Sequence, residues 1–292
     1  MADLFDYYKK QLELEIATFF RIEHPEAIIA SVYKISLPNG KEYILKICPR
    51  DVHYYCEVHF LKYFADTLPV PRLVKAVKPA ADLHGAILIE YLPGFLLIKQ
   101  SLSDSLAKEC GSLLAKIHSH KTKGYGDITQ PHQLKPDAYT YFNYKFEEGF
   151  NECQNHLPDK LLAQCRLFYN NHIKFLDVVD GPCITHRDFR PSNVIVNNDK
   201  VQGIIDWSSG RASFAEEDFY PLHFKKWTHH HALKKSFLAG YASIRPLPSY
   251  EVVMPLLGLH NAIATIGFTV RSDTWKTKNA SLYQRKRQSF EN

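Results

Sequence analysis

The feature that most constrains this chain is a polar run, Thr185 to Asn193, that leads into two short apolar runs, Val194 to Val196 and Val201 to Ile205. Asn197 to Lys200 lies between those runs and has the composition of a tight turn, so the segment predicts a β-hairpin. A hairpin returns the chain to the end where it began. Asp188 and Asn193, just before the first strand, and Asp206, just after the second, therefore gather at one end of a ribbon. Three oxygen-bearing side chains there suit a magnesium–phosphate centre, because Mg2+ takes hard oxygen ligands and keeps few from protein.

A second hairpin signal lies upstream. Tyr33 to Leu37 and Lys41 to Ile47 flank Pro38-Asn39-Gly40, and Asn-Gly accepts the positive φ of such turns. Alternation along the second strand puts Ile44, Lys46 and Cys48 on one face. From Tyr54 to Ala65 the period becomes helical, with Tyr54, Glu57, Leu61 and Phe64 on one side. A carboxylate in that apolar company needs a partner. Ala86 to Tyr91 reads as a buried strand, broken by Pro93-Gly94.

Beyond the break the chain is mainly helical. Ser103 suits the N-cap of a helix running to His118, with Leu106, Cys110, Leu113, Leu114 and Ile117 as its apolar stripe. Helical patterns follow over Asp137 to Asn151, Asp159 to Leu176, and from Asp218 onward, where Asp218 reads as a cap. The expected fold class is α+β, with a small N-terminal lobe over residues 1–92 and a larger, α-rich lobe over 93–292.

Composition removes several function classes. The formal net charge is +5, from 36 basic and 31 acidic residues, and the longest basic run is Arg285 to Arg287. That is too little for a nucleic-acid partner, and no nucleic-acid motif accompanies it. The apolar run from Gly85 to Ile98 is cut by Glu90, Pro93 and Gly94, so no membrane span is expected. The first ten residues have no apolar stretch of the kind a signal peptide carries. Six cysteines without a C-x-x-C pair read as reduced thiols in a cytoplasmic protein. His229 to His231 reads as a surface patch, and Trp207, Trp227 and Trp275 as core residues.

His186-Arg187-Asp188, Asn193 and Ile205-Asp206-Trp207 together resemble the catalytic loop of the aminoglycoside phosphotransferase and choline kinase family, relatives of the protein kinases. The resemblance implies a two-lobed protein-kinase-like fold, with a small antiparallel-sheet lobe and a larger helical one. It implies transfer of the γ-phosphoryl of ATP, with GTP as an alternative donor, to a hydroxyl of a small molecule, with Mg2+ as cofactor. The acceptor would be an aminoglycoside-like antibiotic, a sugar or an amino alcohol. Carried over by motif, Asp188 resembles the catalytic base, Asn193 and Asp206 the metal ligands, and His186 the histidine that braces the loop. Lys46 resembles the lysine that holds the nucleotide phosphates, and Glu57 the glutamate that orients it.

The resemblance extends over about residues 25 to 245. Ile87 to Gly94 resembles the segment whose backbone meets the adenine, which nominates Glu90, Tyr91 and Leu92. Leu114 to His118, Gly124 to Gly126, Glu217-Asp218 and Phe237 to Tyr241 resemble further landmarks. The phosphate-covering loop departs from the family form, because Ala27 to Tyr33 contains no glycine. Ser31 still offers it a hydroxyl and an amide. Arg187 stands where glycine is commoner, and Trp207 directly follows Asp206, so the D-F-G segment of protein kinases is lacking. The glycine-free loop makes a nucleotide-binding module without turnover the alternative reading; Lys46, Asp188, Asn193 and Asp206 together weigh against it. Arg190, two residues beyond Asp188, is expected to turn toward the transferring group as a fork of donors, with a surface salt bridge as its alternative.

Overall fold

A computed structural model describes residues 2–23, 30–99, 102–224, 231–288 and 290. In chain order the first elements are α1 (Ala2–Gln11), β1 (Thr18–Ile22), β2 (Ser31–Ser36), β3 (Glu42–Cys48), α2 (Asp51–Phe64), β4 (Leu73–Val77), β5 (Gly85–Glu90), β6 (Phe95–Leu96) and α3 (Asp104–His118). Next come α4 (Ala138–Cys153), α5 (Asp159–His172), β7 (Cys183–Thr185), β8 (Val194–Asn197), β9 (Lys200–Ile204) and β10 (Arg211–Ser213). The last are α6 (Glu216–Phe224), α7 (His231–Ala242), α8 (Tyr250–Arg271) and α9 (Ala280–Gln288). Contacts group the chain into two compact units. The first comprises Met1–Lys116, His186–Arg211 and Trp227–Arg245, and the second Ile117–Thr185, Ala212–Lys226 and Pro246–Asn292.

The first unit contains a five-stranded sheet in the order β1-β2-β3-β5-β4, antiparallel throughout. Its β2–β3 turn matches the sequence signal. Asn39 Oδ1 accepts the Lys41 N–H, and Gly40 takes φ +80°, which a side chain would resist. Alternation separates the faces of the sheet. Ile35, Leu45, Ala86 and Leu88 pack against Tyr8, Leu12 and Leu14 at and just beyond α1. Lys46 points the other way, to α2.

Helix α2 buries Tyr54, Cys56, Glu57, Phe60, Leu61 and Phe64. It begins at Asp51, one turn before its apolar period, because that first turn exposes Asp51 and Val52 and leaves no periodic mark. Phe60 and Phe64 lie against Trp207, with ring centroids 5.4 and 4.9 Å apart. Trp207 is fully buried and is thus a core residue.

The second predicted hairpin is also present. Strands β8 and β9 pair, with Asn198 and Asp199 at positive φ in the turn, and β6 adds to the β8 edge. Helix α3 holds the hairpin by its tip. The Ser103 and Ser105 hydroxyls donate to the Asp199 carboxylate at 2.7 and 2.5 Å, and Glu109 Oε2 accepts the Val201 N–H at 3.2 Å. Ser103 also caps α3, accepting the Leu106 N–H at 3.1 Å. Helices α3 and α7 approach so closely that a Cβ on Gly111 would lie 1.9 Å from the Phe237 carbonyl oxygen, and one on Gly240 1.9 Å from that of Lys108.

The second unit is mainly helical, with β7 and β10 paired as a small sheet. Asp137 caps α4 by accepting the Thr140 N–H at 2.7 Å. Helix α5 stops at His172 and tightens into a 3-10 segment, Ile173–Val178, where the sequence period had suggested one continuous helix. Helix α8 is the one described helix long and apolar enough to cross a membrane, and 61% of its most apolar window is buried in the chain's own core. Its company is α4, α5, α6 and α9. Asp218 is not the cap its position suggested. It lies inside the first turn of α6, and its carboxylate meets His118 Nε2 at 3.0 Å, both side chains at 0% exposure. The six cysteines are buried and form no disulfide. His229, His230 and Trp227 lie outside the described residues, and His231 is exposed at the start of α7.

Candidate active site

The site lies in the first unit and grows from two buried strands. Lys46 on β3 is 9% exposed. Its ammonium is 2.7 Å from Glu57 Oε2 and 2.7 Å from Asp206 Oδ1. Burial opposes the charge on Lys46, yet the fields of Asp206 and Glu57 outweigh it and hold its pKa above the ordinary lysine value. Asp206 shows the reverse balance. Burial raises its pKa, but the Lys46 charge and the hydrogen bonds from Lys46 and Ser208 pull it well below the usual carboxylate range. Glu57 is 1% exposed, and there burial prevails over Lys46, leaving its pKa raised.

Asp206 has φ 63° and ψ 61°, the left-handed region that non-glycine residues rarely enter. That twist ends β9 and turns the chain into the 3-10 segment Trp207–Ser209. Ser208 Oγ reaches back to Asp206 Oδ1 at 2.7 Å.

The loop before β8 is braced by His186. Its Nε2 donates to the Ile205 carbonyl oxygen at 3.1 Å, and its Nδ1 accepts the Asp188 N–H at 3.3 Å. One imidazole thus ties Asp188 to the residue preceding Asp206. Arg187 adopts φ 63°. Glycine enters that region without steric cost, which explains why a glycine is commoner at this point of the resembling loops. Asn193 Nδ2 donates to the Asp188 backbone oxygen and to its Oδ2, each at 2.9 Å. Arg190 does not lie out in solvent: its Nε is 3.0 Å from the Asp188 carboxylate. Burial raises the Asp188 pKa, with Arg190 and His186 opposing.

The remaining expected residues lie as follows. Ser31 opens β2 opposite Ile47. Ala27 to Ile29, the body of the glycine-free segment, lie outside the described residues. Glu90 closes β5, with its N–H on the Arg72 carbonyl. Tyr91 presents its ring to the Lys34 ammonium at 4.2 Å. Leu92 fills the space above Gly203, where a Cβ would come within 2.2 Å of Leu92 Cδ1. Two groups near the site escaped sequence reasoning. Ser208 carried only a weak signal, a hydroxyl two residues after an acid. His53, one helical turn before Glu57 on α2, lies in the fields of Arg50, Lys46, Asp206 and Arg211; burial first, then those cations, lowers its pKa to about 4.

Asp206 and Asn193 each carry a hard oxygen of the kind Mg2+ takes, and the Ile205 N–H on the Asn193 backbone carbonyl oxygen ties the two segments together. Asn193 spends its amide nitrogen on Asp188, which leaves the side-chain oxygen as the atom it could offer to a metal.

The phosphotransferase enzyme family profile matches residues 22–256. No curated protein gives a significant sequence match. Among solved structures, a thermostable mutant of aminoglycoside phosphotransferase APH(4)-Ia with AMP-PNP and hygromycin B is 14% identical, with 98% of this chain and 96% of that one covered and a TM-score of 0.71. The gentamicin–APH(2")-IIa complex is 16% identical over 100% and 96% of the two chains, with a TM-score of 0.72. Spectinomycin phosphotransferase APH(9)-Ia with ADP and spectinomycin is 16% identical over 99% and 93%, with a TM-score of 0.65. Identities this low speak for the fold, and the profile over most of the chain speaks for the family. The chain belongs to the phosphotransferase enzyme family, as a small-molecule kinase with the protein-kinase-like fold of the aminoglycoside phosphotransferases.

Proposed function

We propose that the protein transfers the γ-phosphoryl group of ATP, with GTP as an alternative donor, to a hydroxyl of a small metabolite or antibiotic in a Mg2+-dependent reaction. The observation that carries this reading is one connected set of side chains. Lys46 is held between Glu57 and Asp206, and His186 couples the Asp206 strand to a loop bearing Asp188 and Asn193. In this reading residues 1–92 carry the nucleotide, with Ser31 and the backbone of Glu90, Tyr91 and Leu92 among its contacts, and residues 93–292 carry the catalytic loop and the acceptor. Buried thiols without disulfides fit a cytoplasmic setting.

Mg2+, held by Asp206 and Asn193, would supply charge neutralisation at the phosphate oxygens. Lys46, its charge favoured by two carboxylates, binds the nucleotide phosphates. Asp188 orients the acceptor hydroxyl and takes its proton. Its raised pKa improves it as a proton acceptor, and Arg190, Asn193 and His186 keep it in one orientation. The main gain is positioning and electrostatic stabilisation of the transferring group.

Several of the fold neighbours were solved with AMP-PNP or ADP and with aminoglycosides or spectinomycin, which supports a nucleotide donor and puts such antibiotics on the acceptor panel. The net charge of +5 argues against a strongly polycationic acceptor, so neutral sugars and singly charged amino alcohols join it. The test is γ-labelled ATP with that panel, with and without Mg2+. Label appearing on an acceptor only with Mg2+ is the expected result. Nucleotide binding with no transfer to any acceptor would favour the module without turnover.

A further inference from the structure

Asp206 presents its two carboxylate oxygens very differently. Oδ1 receives both Lys46 Nζ and Ser208 Oγ, each at 2.7 Å. No donor among the described residues reaches Oδ2, and the side chain keeps 38% of its surface exposed. A carboxylate that can rotate about its last bond offers either oxygen to a ligand. One whose first oxygen already accepts two hydrogen bonds offers the second. Lys46 alone does not fix this, because its ammonium also serves Glu57 and sits on a long flexible stem. Ser208 is different. Its hydroxyl comes from the 3-10 segment Trp207–Ser209, which is anchored by the buried Trp207, whose Nε1 donates to the Ile204 carbonyl at 3.1 Å.

From this we infer that Ser208 is a positioning residue: its hydroxyl locks Asp206 so that Oδ2 is the oxygen offered to the divalent cation of a metal–nucleotide complex. The inference rests on the proposed Mg2+-nucleotide reading of the site and adds a residue that the motif does not contain. Ser208 touches neither substrate nor metal; it acts through Asp206. The left-handed backbone of Asp206 belongs to the same device. It is sterically costly, and it brings the residue after next within reach of the Asp206 side chain.

The test compares Ser208→Thr with Ser208→Val. The two replacements share a shape, and only threonine keeps the hydroxyl. Binding of AMP-PNP is measured by calorimetry across a Mg2+ titration, and again with the metal chelated. The expected result is a wild-type Mg2+ midpoint for Ser208→Thr. For Ser208→Val the midpoint should rise by at least about tenfold, the scale of one hydrogen bond to a charged group. Metal-free AMP-PNP affinity should be unchanged in both. Equal Mg2+ midpoints for Thr and Val would overturn the inference, as would a loss of metal-free binding as large as the loss with Mg2+. A wild-type protein that binds AMP-PNP equally well with and without Mg2+ would instead overturn the underlying reading of the site. Thermal unfolding of each variant accompanies the titrations. A purely structural serine would lower the melting temperature and leave the Mg2+ midpoint in place.

Discussion

Asn193 commits its side-chain nitrogen twice to Asp188, at 2.9 Å to the backbone oxygen and 2.9 Å to Oδ2. The proposed base and a proposed metal ligand are therefore one mechanical unit, and a change at either is felt at both. Asp188→Asn keeps the volume but removes the proton acceptor and the charge that faces Arg190. Transfer should fall by far more than tenfold, beyond 1.4 kcal/mol in the barrier, while nucleotide affinity stays close to wild type. Single-turnover transfer alongside calorimetry checks it. A variant retaining a tenth of wild-type kcat would show that Asp188 is not the base. Because burial raises the Asp188 pKa in the free protein, the acid limb of the kcat/KM profile should also lie above the ordinary aspartate value of about 3.9.

Asp206→Ala removes a proposed ligand and one of the two carboxylates beside Lys46. Mg2+-dependent nucleotide binding should weaken more than metal-free binding, since Lys46 retains Glu57 and can still meet phosphate. Calorimetry with Mg2+ and with chelator separates the effects, and equal losses in both would count against metal ligation.

His53 gives a pH signature of stability. Its folded pKa is lowered to about 4 from the ordinary histidine value of 6.5, burial being the main cause and Arg50 and Lys46 adding to it. The unfolded chain thus binds the proton more readily. The contribution of neutral His53 is fully present above pH 6.5 and is lost as the pH falls toward about 4. Urea denaturation at pH 7 and pH 4.5 should show a smaller acid loss for His53→Gln than for wild type. Parallel losses would show that His53 titrates normally. Asp206, whose pKa is depressed, acts in a separate window: its stabilisation persists above the ordinary aspartate value and is lost only at more acid pH.

Local signals in the chain were legible, and long-range ones were not. The β2–β3 and β8–β9 hairpins follow from turn chemistry, and α3 from a serine cap and an apolar stripe, all within short windows. Strand alternation and helix period each aim one polar side chain, Lys46 or Glu57, into apolar company, and it is the family resemblance that pairs the two. Asp218 could not be read. Its partner His118 is 100 residues away, and an acid at a helix start looks like a cap whether or not a histidine takes its carboxylate. The early start of α2 was invisible because its first turn is exposed. Ser208 was missed for a related reason: its role depends on the left-handed turn at Asp206, which no propensity announces.

The structure places Arg190 in an ion pair with Asp188. The chain turns so that its Nε lies 3.0 Å from the Asp188 carboxylate, at 18% side-chain exposure, which separates it from an ordinary solvent-exposed ion pair. The planar fork of a guanidinium suits phosphoryl oxygens. Two effects follow from one placement. Arg190 opposes the rise in the Asp188 pKa, and it sets a permanent positive charge beside the proposed base, where in the proposed reaction charge on the transferring phosphoryl would develop. Arg190→Ala should lower kcat by about 100-fold, near 2.7 kcal/mol, with little change in nucleotide KM, because the interaction belongs to the transition state. It should also move the acid limb of the kcat/KM profile upward, since a cation that stabilises the Asp188 carboxylate in the free protein is gone. Arg190→Lys keeps the charge but not the fork, so it should restore the position of the acid limb and recover only part of kcat. An unchanged kcat in Arg190→Ala would remove Arg190 from the mechanism and leave Lys46 and the metal to carry the charge. A lowered kcat with an unmoved acid limb would remove its influence on Asp188 and leave the proposed stabilisation of the phosphoryl group.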